Sequence, residues 1–303
     1  MSVYNSAGSL TRTLDSILLQ EGVDFEFIVI DDGSTDGSGE ILDQRAALDA
    51  RLVVVHQDNA GLTAALKVGC ELARGVYIAR QDAGGDISMP SRLAVQLRAL
   101  ESCPEAVMVS CGTRFVGPDD EFLFDVVISE AELLQGLNTL TFPGVRGPSS
   151  HPSTMFKRDV YSRIGGYRPA FVVAQDMDLW LRMIEAGRCL CMTEVLYQTR
   201  YALGSVSSRY GDRQREYGAI AVNCARQRRA GASEPMLPPP PPKHAGGGMP
   251  SSSRERASFH YFIGCCLQQE DPTAATEHFR EALAAWPMHL GARLRLLGLR
   301  WLS

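Results

Sequence analysis

Apolar runs of strand length occupy Phe25–Ile30, Leu52–Val55, Val76–Ala79 and Ala106–Cys111, while helical periodicity covers Ser9–Gln20, Leu62–Ala73 and Arg92–Leu100. In the first of these helices Leu10, Leu14, Ile17 and Leu18 share one face, the spacing of a helix that buries a stripe against a core. Short apolar strands alternating with helices need cover on both faces. The chain is therefore expected to form an α/β domain, a mostly parallel sheet flanked by helices.

With 303 residues, 45% of them hydrophobic, there is room for one such domain and something smaller. A composition shift marks the division: Arg228–Arg256 is rich in Pro, Gly and Ser and includes Pro238–Pro242 and Gly246–Gly248. This gives a first domain over 1–227, a linker over 228–256 and a helical tail over 257–303, with Pro272 and Pro287 as breaks. In the tail, Gly264, Ala275, Phe279, Ala282 and Pro287 resemble the later part of one tetratricopeptide repeat, with the Gly-to-Ala interval one residue short. A single repeat cannot bury its own face, so the tail reads as a hairpin docked or used in dimerisation, or as a module for a protein partner.

Thirty basic against 35 acidic residues leave a net charge of −5, which excludes a global nucleic-acid or acidic-membrane surface. The eight cysteines are scattered without CxxC spacing and read as reduced core thiols. No apolar run approaches the about 20 residues of a membrane span, and the N-terminus lacks a signal-peptide pattern. A cytoplasmic protein is expected, able to associate peripherally with a membrane.

In open parallel sheets ligands bind beyond the carboxyl ends of the strands. There the sequence places Asp31-Asp32-Gly33-Ser34-Thr35-Asp36, then Asn59-Ala60-Gly61-Leu62, then Arg80-Gln81-Asp82-Ala83-Gly84-Gly85-Asp86. Each cluster alone can be a turn or a helix cap; three at successive strand ends form one site. Carboxylates there can accept hydrogen bonds from a uracil imide or ribose hydroxyls, and a carboxylate pair beside a diphosphate calls for magnesium or manganese.

Together with Val3-Tyr4-Asn5, these clusters resemble the large inverting glycosyltransferase family of the A-type, nucleotide-binding fold. His151-Pro152-Ser153, Gly165-Gly166-Tyr167-Arg168 and Gln175-Asp176-Met177-Asp178-Leu179-Trp180-Leu181-Arg182 extend the match, in family order, to about residues 3–210. The resemblance implies a nucleotide-sugar donor, uridine-linked or similar, and a glycan or glycoconjugate acceptor. It places Asp32, with Asp31 beside it, on the nucleoside, Asp82 at the start of a metal-binding DxD element, and Asp176 as the base that deprotonates the acceptor. Tyr4, Asn5, Asn59, Gly61 and Arg80 join the donor site, and His151 and Trp180 the acceptor side.

Asp176 begins a segment of helical periodicity, where the helix dipole favours an ionised carboxylate. It can equally cap that helix, and Asp178 is the alternative base. His151 can approach diphosphate or acceptor or stand in solvent, Arg80 can pair phosphate or be merely exposed, and Trp180 can be core.

The chain departs from the family pattern in three places. Only Met1-Ser2-Val3 precedes Tyr4-Asn5 where an apolar strand belongs, so the first strand is expected to be missing, through a late start or a truncated chain, with unpaired edges on its neighbours. The DxD element reads Asp82-Ala83-Gly84, an acid returning only at Asp86 as a displaced metal ligand beside Asp82. In Arg200-Tyr201-Ala202-Leu203-Gly204-Ser205, Ala202 fills the position of a metal-binding histidine. These departures support the alternative of a degenerate nucleotide-sugar-binding or scaffolding protein. A nucleotidyltransferase is disfavoured, because no Gly-rich, Lys/Arg-containing signature lies near the N-terminus.

Overall fold

The computed structural model describes residues 1–203, 211–237, 239 and 252–299. The first strand survives as a stub, β1 (Ser2–Val3), ahead of α1 (Ala7–Leu18). It runs parallel to β2 (Phe27–Asp31), with Ser2 opposite Ile30, and after α2 (Ser38–Ala46) β3 (Leu52–His56) runs parallel to β2 on its other side. The Met1 amino group donates to the Ile28 carbonyl at 2.8 Å, and the Met1 carbonyl accepts from Ile30 N–H at 2.9 Å. Of the first strand, expected to be missing or truncated, two residues are present, and they pair with β2. Burial, then the charge of Arg80, pushes the Met1 amine down to about 5. Beyond the stub lies a cavity of about 370 Å³ lined by Phe27, Ile28, Tyr77, Ala79 and Leu93 among others.

After α3 (Leu62–Leu72) come β4 (Tyr77–Ala79), β5 (Ile87–Ser88), α4 (Arg92–Glu101), β6 (Ala106–Val116), β7 (Phe122–Val126), α5 (Glu130–Asn138), β8 (Thr154–Lys157), α6 (Arg158–Arg163), α7 (Gln175–Ala186), β9 (Arg188–Arg200) and α8 (Gly211–Arg229). The second sheet has the order β4-β8-β6-β9-β5, with β7 on β6. Here the structure differs from a mostly parallel sheet, because β8 pairs antiparallel with β4 and β6, and β9 antiparallel with β5. A parallel bridge between Ser2 and Asp82 joins the two sheets and brings the ends of β1 and β4 together.

Periodicity explains the core. Leu10, Leu14 and Ile17 of α1 pack with Val3, Val29 and Leu42 in one cluster, and Leu66, Met108, Phe156, Tyr167, Phe171 and Leu181 belong to another. All eight cysteines are free, four of them buried. Among the described residues no helix is long and apolar enough to cross a membrane.

The chain divides into two compact units, and the bounds differ from a cut at residue 227: α8 runs on to Arg229, and the second unit gathers Arg114–Asp125 with Arg200–Arg209 and Gly246–Ser303. Pro238 and residues 240–251, which belong to the expected linker, lie outside the described residues, as do Gly204 and Ser205. The second unit contains α9 (Ser253–Leu267), α10 (Pro272–Ala285) and α11 (Leu290–Leu299). Ala257, Ile263, Phe279 and Ala282 bury their side chains with Leu123 and Phe124, and Tyr201 stacks on Phe259 at 5.3 Å. The hairpin thus covers its apolar face within its own unit. At Gly264 a Cβ would sit 2.6 Å from the Phe279 ring, so glycine is what lets α9 and α10 cross this closely.

Candidate active site

The turn after β2 carries the first acidic cluster. Asp31 and Asp32 are buried at 4% and 2% exposure. Asp31 accepts from Ser34 N–H at 3.0 Å and faces His56 Nδ1 at 2.8 Å; these bonds hold its pKa below the usual carboxylate value against the opposing effect of burial. Asp32 accepts from the Gln57 side chain at 2.7 Å and from the N–H groups of Ala60 and Gly61 at 2.8 Å each, while Asn59 Nδ2 donates to its carbonyl at 2.9 Å. Asp32 thus clamps the second cluster onto the first. Gly33, at φ +76°, permits this approach, since a Cβ there would lie 2.8 Å from Asn59 N. Asn5, at φ +50°, accepts from Thr35 N–H at 2.7 Å and ties the exposed Tyr4-Asn5 pair to the same rim.

The third cluster follows β4. Arg80 is 3% exposed and donates to Asp82 Oδ1 at 2.6 Å, leaving Asp82 40% exposed. Arg80 Nε is buried with no partner among the described residues. Asp86 is 5% exposed, and its Oδ2 accepts from Tyr197 Oη–H at 3.0 Å and Thr199 Oγ1–H at 3.2 Å. The expectation that Asp86 returns beside Asp82 as a ligand is corrected: its carboxylate is engaged inside the protein by two hydroxyls. Among the described residues no group of three or more His, Cys, Asp or Glu side chains could hold a metal ion. Of the two expected ligands, Asp82 is the one with an accessible carboxylate, and it is paired to Arg80. Magnesium is usually held by one or two carboxylates together with substrate phosphates and water, and Asp82 is placed to supply one such carboxylate.

His151 is half-buried, not standing free in solvent. Its Nε2 lies 2.7 Å from Tyr167 Oη, and its ring meets Tyr167 and Trp180 edge to face at centroid distances of 5.7 and 6.0 Å. Burial, with the charge of Arg80 second, pushes its pKa well below the usual histidine value, so the ring is neutral near pH 7. Trp180 is 5% exposed, and a Cβ on Gly147 would lie 2.2 Å from its ring. This corrects its placement on the acceptor side: a sugar platform needs an open ring face, whereas Trp180 is core.

Asp176 lies at the second position of α7, whose N-cap is Ala174 at φ +56° with no side-chain cap. Burial, chiefly, raises its pKa; the nearby Asp82 charge adds to the rise, while Met177 N–H, 2.8 Å from Oδ1, and Arg80 oppose it. A desolvated carboxylate with a raised pKa beside Arg80 and Asp82 is suited to taking a proton. Asp178, two residues on, is 1% exposed and clamped between Arg168 and Arg182, at 3.0 Å from Arg168 Nε and 2.6 Å from the Arg182 guanidinium. That removes it as the alternative base.

The sequence reading missed the buried residues behind the site. Arg92 is fully buried; it donates to the carbonyls of Arg80 at 2.9 Å and Pro152 at 2.6 Å and to Ser88 Oγ at 2.7 Å, which ties the Arg80–Asp82 segment to the His151 turn. Its guanidinium lies 4.8 Å from the centroid of the Tyr197 ring. An arginine opening a helix and a tyrosine inside a strand carry no local signal of such a role.

The profile of glycosyl transferase family 2 matches residues 1–165. The putative glycosyltransferase EpsE of Bacillus subtilis (strain 168) is 34% identical over 208 residues, covering 66% of this chain and 71% of EpsE. Among solved structures, the mannosyltransferase PcManGT of Pyrobaculum calidifontis, in complex with GDP-Man and Mn²⁺, superposes with a TM-score of 0.53 at 20% identity, covering 99% of this chain and 78% of that one. TarS 1–349 of S. aureus, in complex with UDP, gives 0.52 at 14% identity, with 100% and 90% covered. At such identities these two likenesses speak for the fold, while the profile match over more than half of the sequence and the EpsE similarity speak for descent. The chain belongs to glycosyl transferase family 2.

Proposed function

We propose that this chain is an inverting transferase that moves a sugar from a nucleoside-diphosphate donor, uridine-linked, to a hydroxyl of a glycan or glycoconjugate. The observation that carries the reading is the pair of buried Arg80 with Asp82 at the end of β4, whose charges act on His151, in the turn after Ser150, and on Asp176, at the start of α7. In this reading the rim of Tyr4, Asn5, Asp31, Asp32, Asn59 and Gly61 receives the nucleoside. Arg80 offsets the diphosphate charge, and Asp176 takes the acceptor proton as the hydroxyl attacks the anomeric carbon from the face opposite the leaving diphosphate. The proton ends on Asp176 and the electron pair of the broken bond on the diphosphate. Neutral His151 donates or accepts a hydrogen bond without adding charge. No step is routed through a metal; a divalent ion that arrives with the donor would neutralise diphosphate charge beside Asp82.

The UDP and GDP-Man held by TarS and PcManGT support a nucleoside-diphosphate donor in this fold. Eight unpaired thiols support a reducing, cytoplasmic location. For the tail we propose a tetratricopeptide-like hairpin, supported by the close crossing at Gly264, Ala275, Phe279 and Ala282. The test of the central reading is Asp176→Asn: transfer falls at least about a hundredfold while donor affinity, by calorimetry, stays within about twofold. Near-normal turnover in that variant removes Asp176 from the reaction.

A further inference from the structure

The segment from Asp82 to Asp86 contains Gly84 and Gly85, and nothing lies within 4 Å of a Cβ built on Gly84. Gly85 takes φ +90°, a conformation open to glycine and strained for other residues. Between these glycines and Asp82, Ala83 is buried in the core with Val3 and Leu10, and its carbonyl accepts from Ser9 Oγ at 3.3 Å. Polar anchors hold the two ends of the loop. Gln81 Nε2 donates to the carbonyls of Asp82 and Asp86, both at 3.2 Å, and closes the loop from one side. From β9, Tyr197 Oη accepts from Asp82 N–H at 3.2 Å and donates to Asp86 Oδ2 at 3.0 Å, while Thr199 Oγ1 donates to the same carboxylate oxygen at 3.2 Å. Tyr197 is fully buried, and its ring is held over the Arg92 guanidinium.

We propose that Asp86 is a positioning residue: through the Tyr197 hydroxyl it fixes the backbone of Asp82 and so keeps the Asp82 carboxylate beside Arg80 at the donor diphosphate. The acid displaced by the extra glycine is an anchor of the loop and not a replacement metal ligand. A carboxylate that already accepts two hydroxyl hydrogen bonds would have to give both up to reach an ion. A tyrosine hydroxyl that bridges a backbone N–H and a carboxylate transmits any change at Asp86 to Asp82. This inference rests on the donor-site reading given above.

Three variants test it in the full chain: Tyr197→Phe, which removes one oxygen, Asp86→Asn, and the double variant. The first readout is amide exchange of Asp82 in the absence of nucleotide, which does not depend on the donor reading. It should become about tenfold faster in each single variant and no faster in the double, with the melting temperature of Tyr197→Phe near that of the parent. Unchanged exchange overturns the proposal. The second readout is calorimetric affinity for UDP and GDP against manganese concentration: each single variant weakens binding about tenfold, the double adds nothing further, and the manganese dependence is the parent's throughout. Additive losses, or a manganese effect lost only in Asp86→Asn, would show Asp86 acting as a ligand. If the parent binds neither nucleotide, the donor-site reading fails, and exchange at Asp82 still decides the anchor.

Discussion

Two carboxylates two residues apart on α7 should respond in opposite ways to the same chemical change. Asp178 is held between Arg168 and Arg182, so Asp178→Asn removes the one negative charge between two guanidinium groups. Arg168 retains Glu234, itself held near a pKa of about 2 despite burial by hydrogen bonds from Arg228 and Arg168. Arg182 retains only the Ile164 carbonyl, at 2.9 Å, among the described residues. One buried guanidinium is thereby left without an anion, and breaking such a pair costs about 3–5 kcal/mol, with the lower end fitting a cluster in which one partner keeps a substitute. At about 2–4 °C per kcal/mol for a domain of this size, the melting temperature should fall by roughly 10 °C. Asp176 has no such partner, and its pKa is raised, so the folded state binds its proton more tightly than the unfolded state does. An ionised Asp176 at pH 7 therefore lowers stability, an effect relieved as pH falls through its raised pKa. Asp176→Asn removes that charge and should leave the melting temperature level or higher while transfer is lost. Calorimetric melts of the two variants at pH 7, with a donor-turnover assay on each, make the comparison. A fall of similar size in Asp176→Asn would refute the division into a strained base and a structural anion.

Other outcomes follow from single contacts. Gly264→Ala places a methyl group 2.6 Å from the Phe279 ring and should destabilise the second unit by about 1–3 kcal/mol, read as earlier proteolysis of the tail. His260 faces His278 at 3.1 Å between their Nδ1 atoms, and burial, then the His278 charge, lowers its pKa. The folded state then prefers the neutral ring, so its contribution is fully present above the unfolded value of about 6.5 and is lost as pH drops below it; His260→Asn should flatten that part of the pH–stability curve. Gln57→Leu deletes the side-chain donor to Asp32 and should weaken nucleotide binding by about threefold to tenfold without altering the melting temperature by more than a few degrees.

Much of the first half of the fold was legible because its strands are continuous apolar runs and its helices carry clean stripes. Phe27–Asp31, Leu52–His56 and Arg92–Glu101 fall within a few residues of the expected bounds. Among the strands that escaped are β8, only four residues long and following a turn rich in Ser and Pro, and β9, whose thirteen residues mix Arg, Thr and Glu among the apolar ones. The acidic clusters at the strand ends were readable as one site, since topology alone brings strand ends together. Their division of labour was not. Whether Asp178 is a base or a structural anion depends on Arg168, ten residues back on another segment, and whether Asp86 is a ligand depends on Tyr197, more than a hundred residues away. Trp180 reads the same in sequence as a platform or as core, and only its 5% exposure decides.

The central claim, an inverting transfer driven by Asp176, is tested most directly by the configuration of the first-formed product. Proton NMR of turnover from an α-linked UDP-sugar, with a glycan acceptor or with water, distinguishes the anomers before they equilibrate. The account predicts the β-linked product from the parent chain and none above background from Asp176→Asn. An α-linked first product, or equal turnover in the variant, would contradict it.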